Sequence, residues 1–123
     1  MIRIVGVQRS ETIGQEFVLL QNQGSMRVHL KGHAVIAEGA LAEGSSSAAI
    51  HLFSDEVDIM PGQFVLLRTC PGSGHWSITN EGQRVYYCYM ERLNPVWERF
   101  PGPYHILAPQ HSFCERPVEA LLV

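Results

Sequence analysis

The most constraining stretch of this chain is residues 14–36, GQEFVLLQNQGSMRVHLKGHAVI. Phe17-Val18-Leu19-Leu20 puts apolar groups on both faces of an extended segment, because strand side chains alternate with period two. Asn22-Gln23-Gly24-Ser25 is turn chemistry. Val28 and Leu30 share a face on a short polar return, Gly32 permits a bend, and Ala34-Val35-Ile36 is a second strand. About twenty residues later Met60-Pro61-Gly62-Gln63-Phe64-Val65-Leu66-Leu67 is a turn feeding another strand. Such short, turn-bounded runs can bury their apolar faces only by stacking as sheets.

The rest of the chain keeps this rhythm. Residues 1–7 read as a first strand with Ile2 and Ile4 on one face, and residues 8–14 as a polar connection. Residues 38–47 are rich in Gly, Ala and Ser. A loop is expected there rather than one helical turn at residues 40–43, since flanking glycines oppose a helix. Residues 48–53 and 64–69 are strands, and Pro71-Gly72-Ser73-Gly74 is a breaker. His75-Trp76-Ser77-Ile78 is followed by the turn Asn80-Glu81-Gly82. Val85-Tyr86-Tyr87-Cys88-Tyr89-Met90 has β-formers at nearly every position. Residues 96–100 read as a short strand and 104–107 as the last core strand. Residues 109–123 contain Pro109 and Pro117 and end on Ala120-Leu121-Leu122-Val123, an apolar ending suited to a sheet edge or a subunit contact. Many short strands and no helix of 10 or more residues argue for a sandwich or small barrel.

At 123 residues the chain is read as one domain able to bury a core without staples. Nine basic and twelve acidic residues give a formal charge of −3, which disfavours nucleic acid and anionic membranes as partners. Cys70, Cys88 and Cys114 are odd in number, so no even disulfide framework is implied. Cys88, inside a strand-like run, reads as a buried thiol acting as a small hydrophobe. The opening Ile2-Arg3-Ile4-Val5-Gly6-Val7 is too short for a secretory signal and no run reaches a membrane span, so a cytoplasmic location is expected.

The chain resembles the lamin-tail domain family, immunoglobulin-like modules found in nuclear lamins and in diverse bacterial proteins. The resemblance runs from Ile2 to Tyr89. It lies in Glu16-Phe17-Val18-Leu19-Leu20-Gln21-Asn22, in Leu30-Lys31-Gly32-His33 before Ala34-Val35-Ile36, in Met60-Pro61-Gly62 before a strand, and in Trp76 with the Asn80-Glu81-Gly82 turn before Val85-Tyr86-Tyr87. Order and spacing carry it. The chain departs from the family at His33, where Trp is common, at Leu19, normally polar, and after Tyr89, where extra aromatics replace a plain closing hairpin. The resemblance implies an all-β fold, an immunoglobulin-like β-sandwich of short, mainly antiparallel strands. It also implies a binding or scaffolding role with no common catalytic centre.

On this reading residues 1–108 form the sandwich and 109–123 a tail packing on it or on a partner subunit. Phe17 and Leu19 face opposite to Val18 and Leu20, so one pair enters the core and the other needs a cover. Burying two such side chains contributes roughly 3–6 kcal/mol. The tail or a second copy would supply that cover. The same alternation sets Tyr86, Cys88 and Met90 against Val85, Tyr87 and Tyr89. The aromatics divide into Trp76 and Tyr87 as core, and Trp97, Phe100 and Tyr104, set among prolines, as contact residues that Arg92 and Arg99 could join. The interaction residues expected are thus Phe17, Leu19, Trp97, Phe100, Tyr104, Leu121 and Leu122, with an unidentified protein or a second copy as partner.

Candidate chemistry is sparse. Asp55, Glu56 and Asp58 match no calcium-loop pattern and read as a solvated, edge-protecting charge run. His105, His111 and Cys114 supply metal donors in the tail, and His75 or Cys70 could complete a set, but no paired Cys-x-x-Cys spacing is present. Ser45, Ser46 and Ser47 are not in a nucleophile elbow. Cys70 with His75 is the one arrangement from which a thiolate–imidazole hydrolase could be built. Gly72-Ser73-Gly74 lacks the Lys and spacing of a phosphate loop. No cofactor, metal or catalytic residue is therefore assigned. The expectation is a non-catalytic interaction or structural module, with two alternatives: a sugar- or small-molecule-binding domain using the late aromatics, or a Cys/His hydrolase.

Overall fold

Alternation along Phe17–Asn22 sets the architecture: in this computed structural model Val18, Leu20 and Asn22 are buried, while Phe17, Leu19 and Gln21 are only half-buried. The structure describes residues 1–42, 44 and 49–109. Among these the fold is all-β, with strands β1 (Ile2–Gln8), β2 (Phe17–Asn22), β3 (Val28–His29), β4 (Ala34–Ala37), β5 (Ile50–Leu52), β6 (Asp58–Ile59), β7 (Phe64–Arg68), β8 (His75–Ile78), β9 (Arg84–Tyr89) and β10 (Tyr104–Leu107). A five-stranded sheet has the order β1-β2-β7-β9-β8, a three-stranded sheet the order β10-β4-β5, and β3 pairs with β6. Every pairing is antiparallel except that of β7 with β9. Inward residues of both larger sheets join one apolar core: Val18, Leu20, Val65, Leu67 and Cys88 from the first, Val35 and Ala37 from the second. No helix among the described residues is long and apolar enough to cross a membrane.

Local chemistry fixes the junctions. Pro61 and Gly62 occupy the centre of a turn closed by the Gln63 N–H donating to Met60 O at 3.0 Å, and Gly62 has φ +86°, which a side chain would oppose. Asn22 binds this corner with its full complement of hydrogen bonds. Its Nδ2 donates to Met26 O at 2.9 Å and Ile59 O at 2.8 Å, and its Oδ1 accepts from the Met1 nitrogen and the Gly24 N–H, both at 3.0 Å. Residues 69–74 cross from β7 to β8 so that β9 lies between its two predecessors. A Cβ on Gly72 would collide with the Tyr89 ring, so only glycine lets the crossover pass at that height.

Two segments differ from the sequence reading. A short helix α1, Glu38–Ala42, stands where a loop was expected. The Glu38 N–H donates to Pro103 O at 3.0 Å and the Gly39 N–H to Pro101 O at 3.2 Å, while Ala40 is fully buried. Contacts from a distant segment thus override the glycine penalty. Residues 96–100 form turns rather than a strand, because the amides of residues 96–98 are taken by a side chain from β2's entrance, described next. Residues 45–47, named above as a serine loop, lie outside the described set.

Candidate interaction surface

Cross-strand register defines the outward face of the five-stranded sheet. One row runs Gly6, Leu19, Leu66, Tyr87, His75; a second Gln8, Phe17, Arg68, Tyr89; a third Arg3, Gln21, Phe64, Val85, Ser77. Phe17, Leu19, Phe64, Leu66, Tyr87 and Tyr89 are each half-exposed, and none belongs to the core or packs against it. They form a layer of their own. Polar groups order its borders: His75 stacks on Tyr87 with ring centroids 5.0 Å apart, and the Arg68 guanidinium sits 6.0 Å from the Tyr89 centroid. The outward positions of these five strands hold Arg3, Arg68 and His75 and no acidic residue.

Phe17 and Leu19 therefore lie on the outward face, with Phe64, Leu66 and Tyr89 beside them. The latter three were missed because a continuous apolar run does not say which parity faces in. Tyr87, expected in the core, belongs to this outer layer as well. Trp97 and Phe100 correct the sequence reading: they are 0% and 2% exposed and pack in the core, so they present no contact surface. Tyr104 is half-buried at the same place, its ring 5.5 Å from Trp97 and its hydroxyl 3.1 Å from both Trp97 O and Phe100 O, which share its single proton. Leu121 and Leu122 lie outside the described residues, as do His111 and Cys114.

The cause of this inward turn is Glu16, buried without exposure just before β2. Its Oε1 accepts from the Thr69 hydroxyl at 2.7 Å and the N–H groups of Val96 and Trp97 at 2.8 and 3.1 Å; Oε2 accepts from the Glu98 N–H at 2.9 Å. Arg9 holds the opposite side, its Nε donating to Trp97 O at 2.8 Å. Three consecutive amides aimed at one carboxylate cannot also serve a strand ladder, and Val96, Trp97 and Phe100 are carried into the core.

The chemically reactive side chains are committed elsewhere. His75 Nδ1 lies 2.8 Å from Ser73 O, and no hydrogen bond joins it to the half-exposed Cys70. Cys88 of β9 is buried beside β7 and its thiol is pushed well above the ordinary range by burial, with the Asp55 charge adding to the shift. Asp55 accepts from the Tyr86 hydroxyl at 2.8 Å, while exposed Glu56 and Asp58 pair with Lys31 at 3.2 Å and His29 at 2.7 Å. His105 lies 2.8 Å from Glu38. Burial lowers the imidazole pKa of His33 and of His51. Among the described residues no group of three His, Cys, Asp or Glu side chains could hold a metal ion.

Comparison of the chain with protein-family models, with curated proteins and with solved structures finds no match.

Proposed function

We propose that this chain is a non-catalytic interaction module with an immunoglobulin-like β-sandwich fold of the lamin-tail kind, working through the outward face of its five-stranded sheet. The observation that carries the reading is that face: six half-exposed apolar and aromatic side chains in register, outside the core. Contiguous apolar patches on a folded protein mark contact sites. The lamin-tail resemblance draws support from its residues taking structural parts, with Asn22 and the Pro61-Gly62 turn fixing a corner and His33 filling a buried position. A cytoplasmic setting goes with this reading and is consistent with Cys70 and Cys88 as free thiols.

The partner is another protein whose contact is apolar at its centre and acidic at its rim. Arg3, Arg68 and His75 occupy outward strand positions that include no acidic residue, and the Glu91 carboxylate beside Tyr89 is already engaged by the Gly72 N–H, so a second copy would set these basic positions against one another. The sugar-binding alternative loses its aromatic platform with Trp97 and Phe100 buried.

A photo-crosslinking residue placed at Leu19 in the full chain, with exposed Leu52 of the three-stranded sheet as control position, tests the proposal. One protein captured only from position 19, which on purification binds the native chain and loses at least roughly tenfold affinity against Leu19→Lys, supports it. Capture of a second copy overturns the assigned partner, and equal labelling from both positions overturns the surface.

A further inference from the structure

Residues 91–100 enclose a concavity of about 200 Å³ lined by Arg92, Asn94, Pro95, Arg99 and Phe100, with Leu93 at its lip. It differs in composition from the outward sheet face, and the proposed function does not use it. Its lining brings together two guanidinium groups; Arg3, Arg68 and Arg84 also lack a carboxylate partner among the described residues, and what sets Arg92 and Arg99 apart is that they share one hollow. Among the described residues Arg9, Arg27 and Lys31 each have a carboxylate partner, whereas neither Arg92 nor Arg99 makes an ion pair or a side-chain hydrogen bond. The loop's own acids are engaged elsewhere: Glu91 Oε1 accepts from the Gly72 N–H at 3.3 Å, and Glu98 faces Arg9 at 3.9 Å. In a chain of net charge −3, two unneutralised arginines on one small hollow are a local reversal of sign.

The hollow is also held in shape. Glu91 takes φ 59°, a left-handed conformation that costs a side chain energy and turns the chain sharply between β9 and Arg92. The Arg92 N–H is fixed on Thr69 O at 2.9 Å. Val96, which lines the hollow, and its core neighbour Trp97 are pinned by Glu16, and the Phe100 N–H donates to Val96 O at 3.1 Å. The Arg99 guanidinium lies 5.1 Å from the Phe100 centroid, so stacking orients it. The Arg92 charge reaches His51, where it adds to burial in keeping that imidazole neutral.

We propose that this hollow is an oxyanion site, taking a carboxylate or phosphate group between Arg92 and Arg99 from a ligand with an apolar portion against Leu93 and Pro95. Arginine's planar fork matches both oxyanions bidentately, and Asn94 adds a neutral donor. The volume admits one such group with a few further atoms and excludes a nucleotide.

The test uses the intact chain, labelled for side-chain Nε–H spectra of its arginines, titrated separately with succinate and with inorganic phosphate. Arg84 is the internal control: it too lacks an ion pair, but it stacks alone on Trp76 at 4.7 Å. Saturable movement of the Arg92 and Arg99 signals with a Kd of about 1 mM or tighter, Arg84 staying still, is the expected result. The arm that saturates identifies the carboxylate or the phosphate source. Arg99→Lys, which keeps the charge and lies on the surface, should weaken binding by roughly tenfold because it removes the fork. Parallel, unsaturated movement of all three arginines, or Arg99→Lys binding as well as the native chain, overturns the site.

Discussion

Replacing Glu16 by Gln should cost this protein a large part of its stability while changing two atoms' chemistry and almost no volume. Four donors meet the buried carboxylate, three on Oε1 and one on Oε2. A glutamine oxygen in the Oε1 position keeps the Thr69, Val96 and Trp97 bonds but as neutral ones, and charge-assisted bonds exceed neutral ones by about 1 kcal/mol each. The amide NH₂ then faces the Glu98 N–H, donor against donor, which leaves a partly buried group unsatisfied at about 1–3 kcal/mol. Release from burying a full charge offsets some of this. The net expectation is roughly 2–4 kcal/mol, or a Tm lower by roughly 10 °C for a domain of this size. Thermal unfolding followed by circular dichroism gives the first number. Hydrogen exchange gives the second: the Val96, Trp97 and Glu98 amides should lose protection well before the β7 amides do. Glu11→Gln, at an exposed site, should leave both unchanged. A Glu16→Gln protein melting within about 2 °C of the native chain, with those three amides still protected, would refute the argument that this carboxylate holds residues 96–98 in place.

Acid should destabilise the fold through His33 and His51. Both are lowered from 6.5 by burial, so the unfolded chain binds the extra protons; stability is full above that value and falls as pH drops through it toward the depressed folded values. Urea midpoints between pH 7.5 and 5.5 measure the loss, and His51→Gln should make it shallower; a flat profile in the native chain contradicts the reading. Iodoacetamide under native conditions should label half-exposed Cys70 and spare Cys88, whose thiolate is suppressed by burial, until urea opens the core; mass spectrometry of the digest reads this, and early labelling of Cys88 would count against its placement. Gly72→Ala should cost about 1–3 kcal/mol by driving a methyl into the Tyr89 ring, and Tyr89→Ala in the same chain should recover part of it; additive losses in the double variant would deny the contact.

Much of the succession of strands along the chain was legible because period-two alternation and Gly/Pro punctuation are local signals. Val18 and Leu20 against Phe17 and Leu19, the Pro61-Gly62 turn, and Tyr86 and Cys88 against Val85, Tyr87 and Tyr89 all follow from them. What escaped reading depends on partners far along the chain. α1 is held by the backbone of residues 101–103. Residues 96–98 look like a strand until a carboxylate 80 positions earlier takes the Val96 amide. Trp97 and Phe100, flanked by prolines, look superficial for the same reason. The parallel β7–β9 pairing leaves no mark in composition, and neither does the left-handed backbone at Glu91 that turns the chain ahead of Arg92.

The insertion of β9 between the strands that precede it has a mechanical consequence. A strand added in chain order at a sheet's rim can peel away alone. Here β9 is zipped on one flank to β7 and on the other to β8, and the connection joining those two straps down Tyr89. It can leave only if its hairpin partner leaves with it or the strap lifts. The seam at the middle of the sheet is therefore a latch, and fraying is directed to the β1 rim and the open flank of β8.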